Sequence, residues 1–217
     1  MKMRVLVIAG ASGAGKTTVA HRLIESTGRF DEVRSLTTRP ARNDKFNGEY
    51  LYADRDEFLR RVNNGELIEY MEYSSNLYGT PVCELERIVS EGKIPLLVLD
   101  LNGVSAIRER RDTIDSTVFY VYDDLNVIEK RLYTRDLAVP SAEALLSFLD
   151  RKERNINDYL SLPSLVPLFD AFIKNESVEE CAKEILDVFD CRIPPQSAEE
   201  KKTIADRLSE SAAVKKQ

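Results

Sequence analysis

Basic residues are in the minority: 31 lysines and arginines stand against 37 aspartates and glutamates, a formal net charge of −6. That balance argues against a protein that coats nucleic acid through its phosphates, although a local basic site for one phosphate fits within an acidic whole. Histidine is nearly absent. His21 has no second histidine to share a metal with and reads as an ordinary helix residue. Three cysteines, Cys83, Cys181 and Cys191, are scattered, odd in number and without metal-site spacing. They exclude a disulfide framework and suit a reducing compartment. No apolar run is long enough to cross a bilayer, and the chain enters a core strand directly after Met1-Lys2-Met3. The expectation is a cytoplasmic protein with neither membrane nor nucleic-acid partners. No internal repeat is visible.

Against these absences stands Gly10-Ala11-Ser12-Gly13-Ala14-Gly15-Lys16-Thr17-Thr18, directly after the apolar run Val5–Ala9. This is the complete phosphate-binding pattern, placed where a buried strand turns into a helix. Its glycines let backbone N–H groups face phosphate oxygens at a helix N-terminus. Lys16 suits the β- and γ-phosphates, and the Thr17 hydroxyl suits Mg²⁺. The whole segment 10–18 is therefore a candidate ATP site. The composition, 43% hydrophobic and 31% charged over 217 residues, supports one α/β domain with a sizeable core.

Apolar periodicity alternates between short strands (Arg4–Ala9, Leu96–Leu99, Thr117–Tyr122, Ala171–Ile173) and helices (Lys16–Glu25, Val82–Glu91, Val104–Arg110, Asn126–Arg135, Ala142–Tyr159, Val178–Phe189). That order predicts βαβ units around a central parallel sheet, a three-layer α/β/α fold. Between residues 35 and 80 the alternation stops; short strands and a helix near Asp56–Val62 predict a small mixed lobe inserted into the core. The irregular patch Asp136–Ser141, between two charged helices, suggests a helical lid over about 135–150. After Arg192-Ile-Pro-Pro the chain becomes a polar, Lys/Glu-rich tail, 192–217, read as a frayed helix or disordered.

Ser35-Leu-Thr-Thr-Arg39-Pro-Ala-Arg42 places two guanidinium groups three residues apart beside hydroxyls, a compact anion clamp. Tyr50, Glu69, Tyr78 and Thr80 follow within the same lobe. Asp100 ends an apolar strand, where a carboxylate can support magnesium or simply cap the strand. Arg131 and Arg135 lie four apart on one helix face.

Taken together and in this order, these motifs resemble the guanylate kinases over residues 4–190. The resemblance implies a phosphate-loop fold with core 1–34 and 81–191, a GMP-binding lobe 35–80 and a lid, the whole domain spanning 1–191. It implies Mg-dependent phosphoryl transfer from ATP to GMP or dGMP by a monomer or homodimer. Ser35, Arg39, Arg42, Tyr50 and Tyr78 match the positions that bind the GMP phosphate. Glu69 and Thr80 match those that contact guanine, while Thr17 and Asp100 match the magnesium side, Asp100 also bordering GMP. Lys16, Arg39, Arg42, Arg135 and a post-lid arginine would surround the transferring group, with Arg131 at the ATP site. The post-lid arginine is Arg151 or Arg154; Arg154 is the preferred register. Asn175 falls in a closing segment near the adenine site.

The chain departs from the family pattern at Ala11, at Asp44-Lys45, and at Val98, where a carboxylate near the guanine is usual. Two other readings stand beside it: a sister kinase acting on a sugar phosphate such as ribose 1,5-bisphosphate, which would keep the loop, and an inactive phosphopeptide-binding module, whose loop is usually eroded.

Overall fold

The computed structural model describes residues 2–40, 50–73 and 75–216. Arg42 and the Asp44-Lys45 departure lie outside the described residues. In chain order the elements are β1 (Met3–Ala9), α1 (Lys16–Thr27), β2 (Phe30–Glu32), β3 (Ser35–Thr37), β4 (Tyr50–Tyr52) and α2 (Arg55–Asn63). There follow β5 (Leu67–Tyr73), β6 (Asn76–Pro81), α3 (Val82–Ser90), β7 (Ile94–Leu99), α4 (Leu101–Glu109) and β8 (Ile114–Tyr122). The chain closes with α5 (Leu125–Asp136), α6 (Ala142–Leu165), β9 (Ala171–Lys174), α7 (Val178–Phe189) and α8 (Ala198–Lys216).

Five strands form one parallel sheet in the order β2-β7-β1-β8-β9. Its interior strands are apolar on both sides, as a sheet covered on both faces requires. Leu6, Ile8 and Phe119 meet Val19, Leu23 and Ile185 of α1 and α7 on one face. Val5, Val7 and Tyr120 meet Leu85, Val104, Ile128 and Tyr159 of α3 to α6 on the other. The expected three layers are thus present. The edge strand β2 escaped the sequence reading because three residues, with only Phe30 fully buried, carry no periodicity.

The excursion between residues 35 and 80 is a second, mixed sheet, ordered β4-β3-β6-β5, with a core of Leu36, Phe58, Leu67 and Leu77 against α2. It leaves the main sheet after β2 and returns through α3. Arg34 and the buried Glu84 bridge these two crossings through paired hydrogen bonds of 2.8 Å. The bonds to Arg34 and Arg87 hold the Glu84 carboxyl well below the usual carboxylate range, near 2, against the opposing effect of burial.

Several boundaries moved, two of them on elements that carry the site. Helix α4 starts at Leu101 rather than Val104, because Asp100 caps it, accepting from the Gly103 amide at 2.8 Å. Helix α6 continues past Tyr159, through Pro163, to Leu165; Leu162 and Tyr159 are fully buried there.

The polar tail is the helix α8. It lies on α6, burying Ala205, Leu208 and Ala212, three small or apolar positions spaced three and four apart. Ahead of it, Gln196 accepts from the Phe172 amide (2.9 Å) and donates to the Phe172 carbonyl (2.8 Å). It thereby occupies the open side of the edge strand β9. Gln196→Ala should cost ~1–2 kcal/mol, a fall in Tm of roughly 3–6 °C for a chain of this length. Calorimetric melting checks this; an unchanged Tm would mean that water serves that edge equally well.

Candidate active site

The site gathers at the carboxyl ends of β1, β7 and β8, on either side of β1, where a sheet of this order leaves a crevice. Strand β1 runs into the loop at Gly10, whose φ is +149°. A Cβ there would meet the Val121 carbonyl at 2.1 Å, so only glycine lets the loop leave the sheet this way. The turn then delivers Lys16 to the first turn of α1, where Thr17 and Thr18 are exposed. The Lys16 Nζ donates to the Gly10 and Ala11 carbonyls at 2.8 and 3.0 Å. Desolvation brings its pKa down to about 8, opposed by the nearby carboxylates Asp158 and Asp100.

Ser12, Gly13, Gly15, Lys16, Thr17 and Thr18 share a cleft of 370 Å³ with Arg131, Leu132 and Arg135 of α5. Arg131 and Arg135, which the family resemblance set beside the ATP site, line this cleft together with the loop. Arg131 is oriented by the buried Asp123 at the end of β8, 2.8 Å away. Arg135 pairs with Asp136 at 2.8 Å, and Arg151 of α6 approaches the same carboxylate at 3.6 Å. Of the two candidate post-lid arginines, Arg151 contacts the loop, its guanidinium donating to the Ser12 hydroxyl at 3.4 Å. Arg154, preferred from sequence, instead pairs with Asp150 one turn back on α6. The two arginines lie three apart on neighbouring positions of α6, and their side chains take different partners. The Arg154 charge is nevertheless felt at Asp158.

On the inserted lobe, Glu69 sits where the β5–β6 register shifts between Leu67 and Tyr70. Such an irregularity re-aims a side chain. The Thr80 hydroxyl donates to Glu69 Oε1 at 2.6 Å. Gly79 permits the approach of the two strands, since a Cβ there would lie 2.8 Å from the Glu69 carbonyl. Burial, with a smaller contribution from the Asp100 charge, raises the Glu69 carboxyl above its ordinary range. Arg39 lies over the Tyr50 ring, 5.1 Å from its centroid, and Tyr50 meets Tyr78 edge-on at 6.2 Å. The Arg39 Nε is buried without a hydrogen-bond partner among the described residues. Ser35 pairs in register with Tyr50 across β3 and β4. Ser35, both tyrosines, Glu69 and Thr80 therefore share one small sheet, with Arg39 against the Tyr50 ring.

Asp100 links the two halves. One oxygen caps α4, and its charge is felt at Lys16, Glu69 and Asp158 alike. Val98, two residues earlier, packs with the apolar cluster under α1 and α7. His21 is half exposed on α1, 3.3 Å from Glu32, and stands apart from this chemistry.

Sequence reasoning missed Asn155 and Asp158. Both lie on α6, four and seven residues after Arg151, hence on one helix face; a helical-face reading anchored on Arg151 would have found them. Asp158 has its pKa raised to about 6, chiefly by burial and then by Asp100.

Among the described residues no group of three histidines, cysteines or carboxylates forms a metal cage, and no helix is long and apolar enough to cross a membrane. A family model described as "Guanylate kinase" matches residues 2–191. Guanylate kinase of Lactococcus lactis is 32% identical over 183 residues, covering 83% of this chain and 84% of its own. Guanylate kinase of Thermus thermophilus is 32% identical over 188 residues, covering 86% and 80%. The crystal structure of guanylate kinase from Anaplasma phagocytophilum superposes with a TM-score of 0.61 at 29% identity, covering 88% of this chain and 86% of that one.

Proposed function

The chain belongs to the guanylate kinase family, and we propose that it transfers the γ-phosphoryl group of ATP to GMP or dGMP. The observation that carries this reading is the buried Glu69, hydrogen-bonded to Thr80 and within the field of Asp100, whose charge also acts on Lys16 of the loop. A carboxylate accepts from both the N1–H and the 2-amino group of guanine. Adenine offers no such donor pair and would leave the buried carboxylate unpaired. With the apolar Val98 at the neighbouring strand end, Glu69 and Thr80 carry the base reading.

ATP would lie on segment 10–18 and GMP in the lobe 35–80, with the segment 135–150 closing as the lid. The GMP phosphate is the nucleophile and is already largely anionic near neutral pH, so no protein base is required. The task of the protein is alignment and charge neutralisation. The Arg39 Nε, without a hydrogen-bond partner among the described residues and beside the Tyr50 ring, supports a phosphate at the acceptor end. Arg42 completes that clamp in this reading. Lys16, Arg135 and Arg151 would neutralise the migrating charge, with Arg131 bordering ATP and Arg154 supporting through its effect on Asp158. Closure excludes water, which otherwise diverts the phosphoryl group to hydrolysis.

The donor set suits magnesium. The exposed Thr17 hydroxyl and the Asp100 carboxylate are hard oxygen donors, few enough that waters and phosphate oxygens complete the shell, as this ion prefers. Bound there, magnesium would draw charge from the phosphate oxygens. Three free cysteines support work in the reducing cytoplasm.

A sugar-phosphate kinase would have no use for the Glu69–Thr80 pair, and a phosphopeptide-binding module would have none for Lys16 within its loop. The test is release of ADP from ATP·Mg²⁺ with GMP, dGMP, AMP, UMP, CMP and ribose 1,5-bisphosphate offered in parallel. Turnover confined to GMP and dGMP is expected. Turnover confined to any other acceptor would overturn the assignment.

A further inference from the structure

We propose that Asn155 is a positioning residue for ATP: it clamps the phosphate loop to the lid helix and aims a phosphate-binding amide. The inference rests on the reading that ATP lies on segment 10–18. Asn155 is 2% exposed. Its Oδ1 accepts from the Ser12 amide at 2.8 Å, and its Nδ2 donates to the Ser12 carbonyl at 2.8 Å. Both hydrogen-bonding edges of one side-chain amide are thus spent on one loop residue 143 positions away in sequence.

Those two bonds hold two successive peptide planes. The Ser12 N–H belongs to the plane joining residues 11 and 12, and the Ser12 carbonyl to the plane joining 12 and 13. In a trans peptide, C=O and N–H point in opposite directions. Holding the Ser12 carbonyl toward α6 therefore turns the Gly13 N–H away from α6, toward the hollow of the loop. Without a Cβ, Gly13 is free to rotate, and at φ +87° it occupies a region that needs an external constraint to stay populated alone.

Asn175 does the same from the opposite side. Its Nδ2 donates to the Ala14 carbonyl at 2.8 Å, which turns the Gly15 N–H the other way. Alternate carbonyls drawn outward leave alternate amides facing inward, the arrangement that makes a loop concave toward an anion. An anion-binding loop held this way before nucleotide arrives loses less freedom on binding.

The clamp also ties the loop to the lid. Arg151, one turn before Asn155, reaches the Ser12 hydroxyl, and α6 begins at Ala142 within the lid segment. Displacement of α6 is thus transmitted to Ser12 through three side-chain hydrogen bonds.

The experiment uses the full chain with Asn155→Ala and the nearly isosteric Asn155→Leu, which fills the same space without hydrogen bonds. Asn157→Ala, at an exposed position on the same helix, is the control. Calorimetric titration with ATP·Mg²⁺ alone, followed by steady-state kinetics, should show ATP affinity reduced at least ~10-fold, on the scale of losing loop alignment. The Michaelis constant for GMP should be unchanged and the control should match wild type. Either folded variant binding ATP like wild type, with equal turnover, overturns the proposal. So does an equal rise in both Michaelis constants, which marks general loosening. Should alanine fail to fold, the leucine variant decides. Wild type that binds ATP but ignores GMP would sink the acceptor assignment while leaving the clamp standing.

Discussion

Lys16→Ala is expected to lower turnover about 100- to 1,000-fold, the scale of removing one preorganised charge contact to a transition state. The ammonium sits among the Gly10 and Ala11 carbonyls, held in place by bonds of 2.8 and 3.0 Å, and its charge is sustained against desolvation by Asp158 and Asp100. Alanine is a good helix former, and Lys16 is the first residue of α1, so the fold should survive. Circular dichroism and melting establish that; the coupled ADP-release assay at saturating GMP then reads the chemistry. A loss below ~10-fold would remove Lys16 from the phosphoryl-transfer step.

Glu69→Gln should raise the Michaelis constant for GMP about 10- to 100-fold, leaving that for ATP unchanged. The size follows from leaving buried donors unpaired or misdirected, ~1–3 kcal/mol, where each 1.4 kcal/mol is a factor of ten. Glutamine presents an N–H₂ where guanine also presents donors, and the Thr80 hydroxyl must choose between the two ends of the amide. Acidity supplies a second readout. Burial raises the Glu69 carboxyl above its ordinary range, so its acceptor form is lost at a higher pH than that of an exposed carboxylate. GMP affinity of the wild type should therefore fall early on acidification, and the glutamine variant should lack that dependence. If the variant weakened ATP and spared GMP, Glu69 would belong to the other substrate.

Much of this site was legible because its chemistry is contiguous. Segment 10–18 reads as a phosphate loop from its order alone, since strand, glycine turn and helix N-terminus lie within one short stretch. Glu69 was marked by the family resemblance rather than by a local pattern, and its aim lies in neither. The register shift beside it and the absent Cβ of Gly79 are properties of two paired strands. The tail shows the opposite case. Its composition reads as solvated, and its mixed Lys/Glu pattern hides the three buried positions that seat it on α6. A helix whose apolar stripe is this thin is held by its partner rather than by its own propensity.

The different contacts of Arg151 and Arg154 come from packing. From sequence, two arginines three apart on a charged helix are near-equivalent; only the placement of α6 against the loop turns one to Ser12 and the other to Asp150. Asn155 is silent in sequence for the same reason. A buried asparagine in a polar helix carries no pattern until the peptide it bonds is known.

By itself, then, the sequence determined the phosphate loop with its lysine and threonine and the alternation that builds a parallel sheet, and its motifs in order carried the family resemblance that proposes Arg39 as clamp and Glu69 as base reader. Each is written in neighbouring residues, where backbone geometry and side-chain type act over a few ångströms. Tertiary structure alone decided which arginine meets the loop, how Asn155 and Asn175 aim its amides, and that the tail is a packed helix. Those outcomes depend on contacts between residues far apart in the chain, and such contacts are set by how whole helices and strands pack.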